Sequence, residues 1–212
     1  MADEVRPTQV VADPAPLGLA GFALTTFVLS SHNAGLFGTA GNAVVIGLAI
    51  FYGGVGQFMA GMWEFRNKNT FGATAFSTYG AFWLALGTYL LLITFGKIPT
   101  GDIAKSLGFY FVGFAIFNTY MMFWSARLNV AVFGVFLTLE VTEILLLLGF
   151  FSGSDALIKL AGWMGILTAL VAWYASAAGV VNSMATKPFL PVGTPIWTAQ
   201  TAGERERTPV RR

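Results

Sequence analysis

The sequence predicts an all-α membrane protein that crosses the bilayer six times. Hydrophobic residues make up 56% of its 212 residues and charged residues 10%, against roughly 25% charge in an ordinary soluble domain. Mean hydropathy is +0.69. The apolar residues gather into six runs, each near the ~20 residues a helix needs to cross the hydrocarbon core. None of the runs alternates as a membrane β-strand would.

The runs lie at about 17–37, 43–63, 74–95, 107–125, 130–151 and 157–181. The first opens behind Asp13-Pro14-Ala15-Pro16-Leu17-Gly18-Leu19, where two prolines fix φ and set a stiff approach into the helix. It carries one ionisable residue, His32, and a polar side of Thr25, Thr26, Ser30, Ser31, His32 and Asn33. The second contains Gly53-Gly54-Val55-Gly56 and Ala60-Gly61, small residues that let helices pack closely in lipid. Gln57 falls about two-thirds of the way along it, and Glu64 ends it beside Arg66 and Lys68. That setting gives Glu64 the character of an interfacial salt-bridge partner.

The third run follows Asn67-Lys68-Asn69 and holds Thr78 and Tyr79. The fourth follows Ile98-Pro99-Thr100-Gly101-Asp102 and carries Asn118 and Thr119 near its middle. The fifth has Glu140 almost at its centre and Glu143 one turn on; the sixth follows Ser152-Gly153-Ser154-Asp155. All connections are short, so consecutive helices are expected to be antiparallel neighbours, forming one transmembrane domain over 13–197. Polar tails are expected at 1–12 and 198–212. No internal repeat stands out.

Basic residues orient the chain. With the N-terminus inside, the cytoplasmic side takes nine of the 12 Lys and Arg: Arg6, Arg66, Lys68, Arg127, Lys187, Arg205, Arg207, Arg211 and Arg212. The outside takes Lys97, Lys105 and Lys159. Both termini are therefore expected to be cytoplasmic. A net charge of +2, thinly scattered, argues against a nucleic-acid partner. The absence of cysteine and the single histidine argue against disulfides, thiolate chemistry and a Cys- or His-ligated metal, and no cofactor is expected. Asp3, Glu4, Arg6 and Asp13 precede an apolar run too long for a cleavable signal peptide.

Polar side chains inside lipid are costly and need partners or water. Gln57 and Asn118 are candidates for interhelical hydrogen bonding or for contact with a carboxylate. Glu140 and Glu143 are three residues apart and share a helix face. An ionised acid at mid-bilayer costs ~2.5–3.5 kcal/mol on insertion scales, so the pair is either a protonated, hydrogen-bonded packing element or a protonatable site on a proton path. His32 reads first as an interfacial or interhelical hydrogen-bond group and second as a proton-coupling candidate. Without cysteine, an acid–histidine pair or a basic phosphate site, an intramembrane enzyme is disfavoured.

The opening heptapeptide resembles the signature of the acetate uptake transporter family, which usually begins with Asn where this chain has Asp13. The likeness continues through Phe51-Tyr52-Gly53-Gly54-Val55-Gly56-Gln57, Gly61-Met62-Trp63-Glu64, Asn69-Thr70-Phe71-Gly72 and Phe76-Ser77-Thr78-Tyr79-Gly80, and it closes at Leu190-Pro191-Val192-Gly193. The resemblance implies six-helix inner or plasma membrane proteins that move acetate, in some cases succinate, usually with protons, as hexamers with one pathway per protomer. It implies an aromatic and aliphatic constriction at Phe22, Tyr79 and Leu137, with Phe136 an alternative to Leu137. Thr25, Gln57, Thr78 and Asn118 become substrate-binding candidates. A short apolar ring suits the methyl of acetate, and the Tyr79 hydroxyl is available for its carboxylate. Asp13 still complements a helix N-terminus but would repel a carboxylate at that mouth. A channel-like facilitator and a non-transporting sensor remain the alternatives to a symporter.

Overall fold

The computed structural model describes residues 11–38 and 42–198. The expected tails, including Arg6 and the four tail arginines, and residues 39–41 of the first loop lie outside the described residues.

Six helices among the described residues are long and apolar enough to cross a membrane: α1 (Ala15–Asn33), α2 (Ala43–Arg66), α3 (Thr70–Thr94), α4 (Ile103–Ser125), α5 (Val130–Ser152) and α6 (Asp155–Met184). Their boundaries differ from the hydropathy runs because caps, not composition, start and stop them. Asn69 begins α3 four residues before its apolar run by accepting the Gly72 amide at 3.1 Å. Asn129 accepts the Val132 amide at 2.9 Å to start α5, and Ser154 accepts that of Leu157 to start α6. These acceptors occupy amides that have no partner within the helix. Gly35, at φ 81°, turns the chain out after α1 well before the apolar run ends.

α2 is not a uniform α-helix. Phe51–Gly56 is π-helical between the α-helical stretches Asn42–Ile50 and Gln57–Arg66. This is the segment rich in glycine, and it touches α1 where side chains have no room. A Cβ on Gly53 would lie 2.6 Å from Thr25 Oγ1. π-Segments within α-helices concentrate at functional sites because they re-aim the residues that follow.

α1 packs along α6, α6 against α5, and α5 against α4; on its other flank α1 meets α2, which packs on α3. Side chains close the gap between α3 and α4. Tyr110 of α4 donates its hydroxyl to the Phe82 carbonyl of α3 at 2.6 Å. Phe82, Tyr110 and Phe114 pack ring against ring with centroids 4.7–5.1 Å apart.

After α6 the chain folds back. Asn182 Oδ1 accepts the amides of Phe189 and Leu190, and its Nδ2 donates to the Leu190 carbonyl. Val192 then accepts the Ala131 amide at 2.9 Å, and Ile196 donates to the Ala126 carbonyl at 2.8 Å. The Leu190–Gly193 motif thus straps the start of α5, and the Arg127 guanidinium lies 5.4 Å over the Trp197 ring.

Close packing at the π-segment is testable. Gly53→Val should drive α1 and α2 apart and lose folded, monodisperse protein on fluorescence-detected size exclusion, since overpacking costs ~1–3 kcal/mol or more. Gly47→Ala, whose Cβ would meet nothing within 4 Å, should elute as the unaltered protein does.

Candidate functional site: a line of cavities through the bundle

Three cavities run through the helix bundle. The first, about 120 Å³, lies between the N-terminal ends of α1 and α3 and is bordered by Ala15, Asn69 and Leu128. The second is central and small, about 30 Å³, room for roughly two water molecules. The third, about 160 Å³, lies toward the opposite end and is bordered by His32, Leu90 and Phe150. The second and third share Leu29, Asn33, Phe111 and Leu146. The first and second share three residues: Phe22, Tyr79 and Leu139.

Those three are buried and come from α1, α3 and α5. The rings of Phe22 and Tyr79 meet edge to face with centroids 5.8 Å apart. Leu137 does not take part, which corrects the expectation for the third residue. It is 42% exposed on the outside of α5, whereas Leu139 is buried against the core. Two residues along a helix turn a side chain by about 200°, so both cannot face inward. The alternative, Phe136, borders only the first cavity.

Tyr79 is held from behind. Its hydroxyl donates to Asn118 Oδ1 at 2.9 Å, and Glu143 Oε1 lies at 3.4 Å from the same oxygen. One proton serves one acceptor at a time, and the shorter bond is to Asn118. Asn118 Nδ2 in turn donates to the Phe136 carbonyl at 2.9 Å and to Glu140 Oε2 at 2.7 Å. Glu140 Oε1 lies 2.7 Å from the Thr119 hydroxyl, whose single proton is equally close to the Ala115 carbonyl. The Tyr79 hydroxyl is therefore engaged by a network between α4 and α5. Asn118 is absent from the cavity walls and acts as the anchor of Tyr79.

The other candidates separate in the same way. Gln57 is buried in the first cavity with Oε1 lacking a partner. Thr25 is buried but faces the π-segment, its hydroxyl donating to the Gly21 carbonyl at 2.8 Å; Thr26, one position on, borders the central cavity. Thr78 is half-buried and borders none of the three. His32 borders the third cavity, one compartment beyond Glu143. Asp13 is exposed and accepts the Ala15 amide at 3.0 Å, which ties the turn at the start of α1. Pro14 and Gly18 are buried there, Ala15 and Leu19 border the first cavity, and Pro16 accepts from Ser176 of α6; Leu17 points outward.

Glu64 reverses its expected role. It is 0% exposed, borders the first cavity, and among the described residues neither carboxylate oxygen has a partner in hydrogen-bonding geometry, while Arg66 is exposed. Spacing held the clue, because Gln57, Gly61 and Glu64 recur at i, i+4 and i+7 and so share one helix face. Trp83 was missed altogether. It is buried beside the central cavity, and nothing in an apolar run marks one Trp as lining a cavity.

Replacing the anchor should loosen the site. Asn118→Leu leaves the Tyr79 hydroxyl and two acceptors without their partner and should lower stability by at least ~1–3 kcal/mol. Thermal unfolding of the detergent-solubilised protein would record it, with Thr119→Val, which removes one hydroxyl, falling by less.

Comparison with known proteins places this geometry. A family model described as the GPR1/FUN34/yaaH family matches residues 3–194. Acetate permease A of Emericella nidulans is 41% identical over 93% of this chain and 71% of the permease. The succinate-acetate/proton symporter SatP of Escherichia coli K12 is 38% identical over 86% of this chain and 96% of the symporter. A solved structure of the bacterial acetate channel SatP superposes with a TM-score of 0.82 at 38% identity, covering 86% of this chain and 99% of that one. The ammonia transport outward protein 2 of Saccharomyces cerevisiae is 40% identical, and this chain spans 64% of its length.

Proposed function

The chain belongs to the GPR1/FUN34/yaaH family, and from that premise we propose that it carries acetate and similar small carboxylates, with succinate a further substrate, through a pathway in each protomer. It is a multi-pass membrane protein. The observation that supports the reading is the line of cavities from one end of the bundle to the other, with Phe22, Tyr79 and Leu139 as the only residues shared by the first two.

In this reading the three residues form the constriction. A carboxylate crossing it sheds water, and the apolar ring favours an anion with a short tail over a larger or more highly charged one. Gln57 offers an amide in the first cavity, on the approach to the ring. The termini face the cytoplasm, on the strength of the Lys and Arg distribution. A homo-hexamer is carried over from the family resemblance alone.

The driving force has two readings, each with its own support. Proton coupling is favoured by the buried pair Glu140 and Glu143, hydrogen-bonded around the constriction tyrosine. A channel-like path is favoured by the similarity to a structure of an acetate channel.

Radiolabelled acetate uptake into proteoliposomes, run beside empty liposomes to subtract leakage of neutral acetic acid, tests transport. Accumulation driven by a pH gradient and lost in Glu140→Gln is the result expected of a symporter. Equilibration without accumulation, responding to voltage, is that of a channel. No flux above the empty vesicles from folded protein would overturn both and leave a sensor.

The constriction has a separate test. Leu139→Ala and Tyr79→Ala should raise butyrate flux relative to acetate severalfold in protein that still folds. Leu137→Ala should leave the ratio unchanged. The opposite ranking of the two leucines would remove Leu139 from the pathway.

A further inference from the structure

The central cavity is bordered by three polar side chains from three helices, each with one buried atom that has no partner among the described residues. Thr26 of α1 leaves Oγ1, Trp83 of α3 leaves Nε1, and Glu143 of α5 leaves Oε2. All three residues are at least nine-tenths buried. A buried polar group without a partner is costly, and native structures contain few. Three around one space of about 30 Å³ define a site waiting for a ligand that accepts hydrogen bonds.

Two of the atoms decide the ligand's chemistry. An indole N–H can only donate, and the Thr26 hydroxyl is free to donate. A small anion accepts from both, and a carboxylate has two oxygens to offer them. Glu143 decides when it can enter. Ionised, Glu143 is acceptor-only and places a like charge in the same low-dielectric space. Protonated, it has an O–H to give. Its other oxygen is already turned to Tyr79, 3.4 Å away. The other titratable groups around it are Tyr79 of α3, Tyr110 of α4, whose proton is given to Phe82, and Glu140 on α5 itself.

Resting on the transport reading above, we propose that Thr26, Trp83 and Glu143 form a carboxylate-binding post beyond the constriction, which accepts an anion only while Glu143 carries a proton. Proton and substrate occupy the post together because neither ionised Glu143 nor the anion tolerates the other there. The obligatory pair would move as one unit through the central cavity, which gives coupling a place and a residue. Glu140, whose two oxygens lie 2.7 Å from Asn118 Nδ2 and from the Thr119 hydroxyl, is part of the network behind it.

The test separates binding from flux. Acetate-dependent thermal stabilisation of the purified protein is titrated at acid and at alkaline pH, with the acetate anion held at the same concentration. Wild-type affinity should fall on the alkaline side. Glu143→Gln, neutral at every pH and still a donor, should keep the acid-side affinity throughout. Trp83→Phe and Thr26→Val should each weaken acid-side binding by about tenfold, the loss of one hydrogen bond to a charged group. If Trp83→Phe fails to fold, the nearly isosteric Thr26→Val decides.

A Glu143→Gln profile that follows the wild type overturns the post, as do donor variants that bind acetate like wild type. So does a wild-type protein that acetate does not stabilise at either pH. Wild-type uptake into proteoliposomes, measured in parallel, is the independent arm. Uptake with an unshifted Glu143→Gln binding profile sinks the post and spares the transport reading. The expected binding pattern without uptake does the reverse.

Discussion

The side chain of Asn118 joins three helices at the centre of the bundle. It takes the Tyr79 hydroxyl from α3 and gives its own amide hydrogens to the Phe136 carbonyl and Glu140 of α5. In lipid, helices gain little from burying apolar surface against one another, so directional bonds of this kind carry much of the specificity. α3 and α4 share few close backbone contacts, and they depend on this link and on Tyr110. The place where the first and second cavities meet depends on it as well. With its hydroxyl committed behind, Tyr79 is presented to Phe22 and Leu139 as an aromatic face.

The arrangement divides labour between two acids that look alike in sequence. Glu140 has a hydrogen-bond neighbour at each oxygen, whereas Glu143, one turn later, borders the central cavity with Oε2 lacking a partner among the described residues. The first cavity repeats the theme at lower symmetry, with Glu64 and Gln57 both buried and short of partners. Incompletely satisfied polar groups are a cost to folding.

Much of the fold was legible in the sequence, because hydropathy and turn residues are local signals and a membrane admits few solutions. The six spans were expected within a few residues, and the errors fall at caps such as Asn69 and Gly35, which hydropathy does not register. The site was legible only where order along the chain sufficed. Phe22 and Tyr79 follow fixed motifs. Leu139 sits in a run of apolar residues whose phase no motif pins, and Leu137 lies about 200° of rotation away on the exposed side of α5. Thr25 and Thr26 differ by a single step, about 100°, and that step separates a packing hydroxyl from a cavity wall. Glu64 misled because adjacent charges suggested a pair, although burial is set by a neighbouring helix that sequence proximity cannot reveal.

That rotational sensitivity gives the π-helical stretch Phe51–Gly56 a further meaning. A π-turn holds one more residue than the α-turn it replaces, so it acts as a phase shifter between the two halves of α2. The half that follows carries Gln57, Gly61 and Glu64 toward the first cavity and the α3 interface. Excising one residue from the stretch would restore a regular helix and please every local preference. That deletion would leave the phase of the following half unchanged, whereas winding all of its residues as a plain α-helix would swing that half by about 100° and turn Gln57 and Glu64 away from the first cavity. The irregular backbone is therefore a frame setting that decides which face of the second half of α2 borders the first cavity.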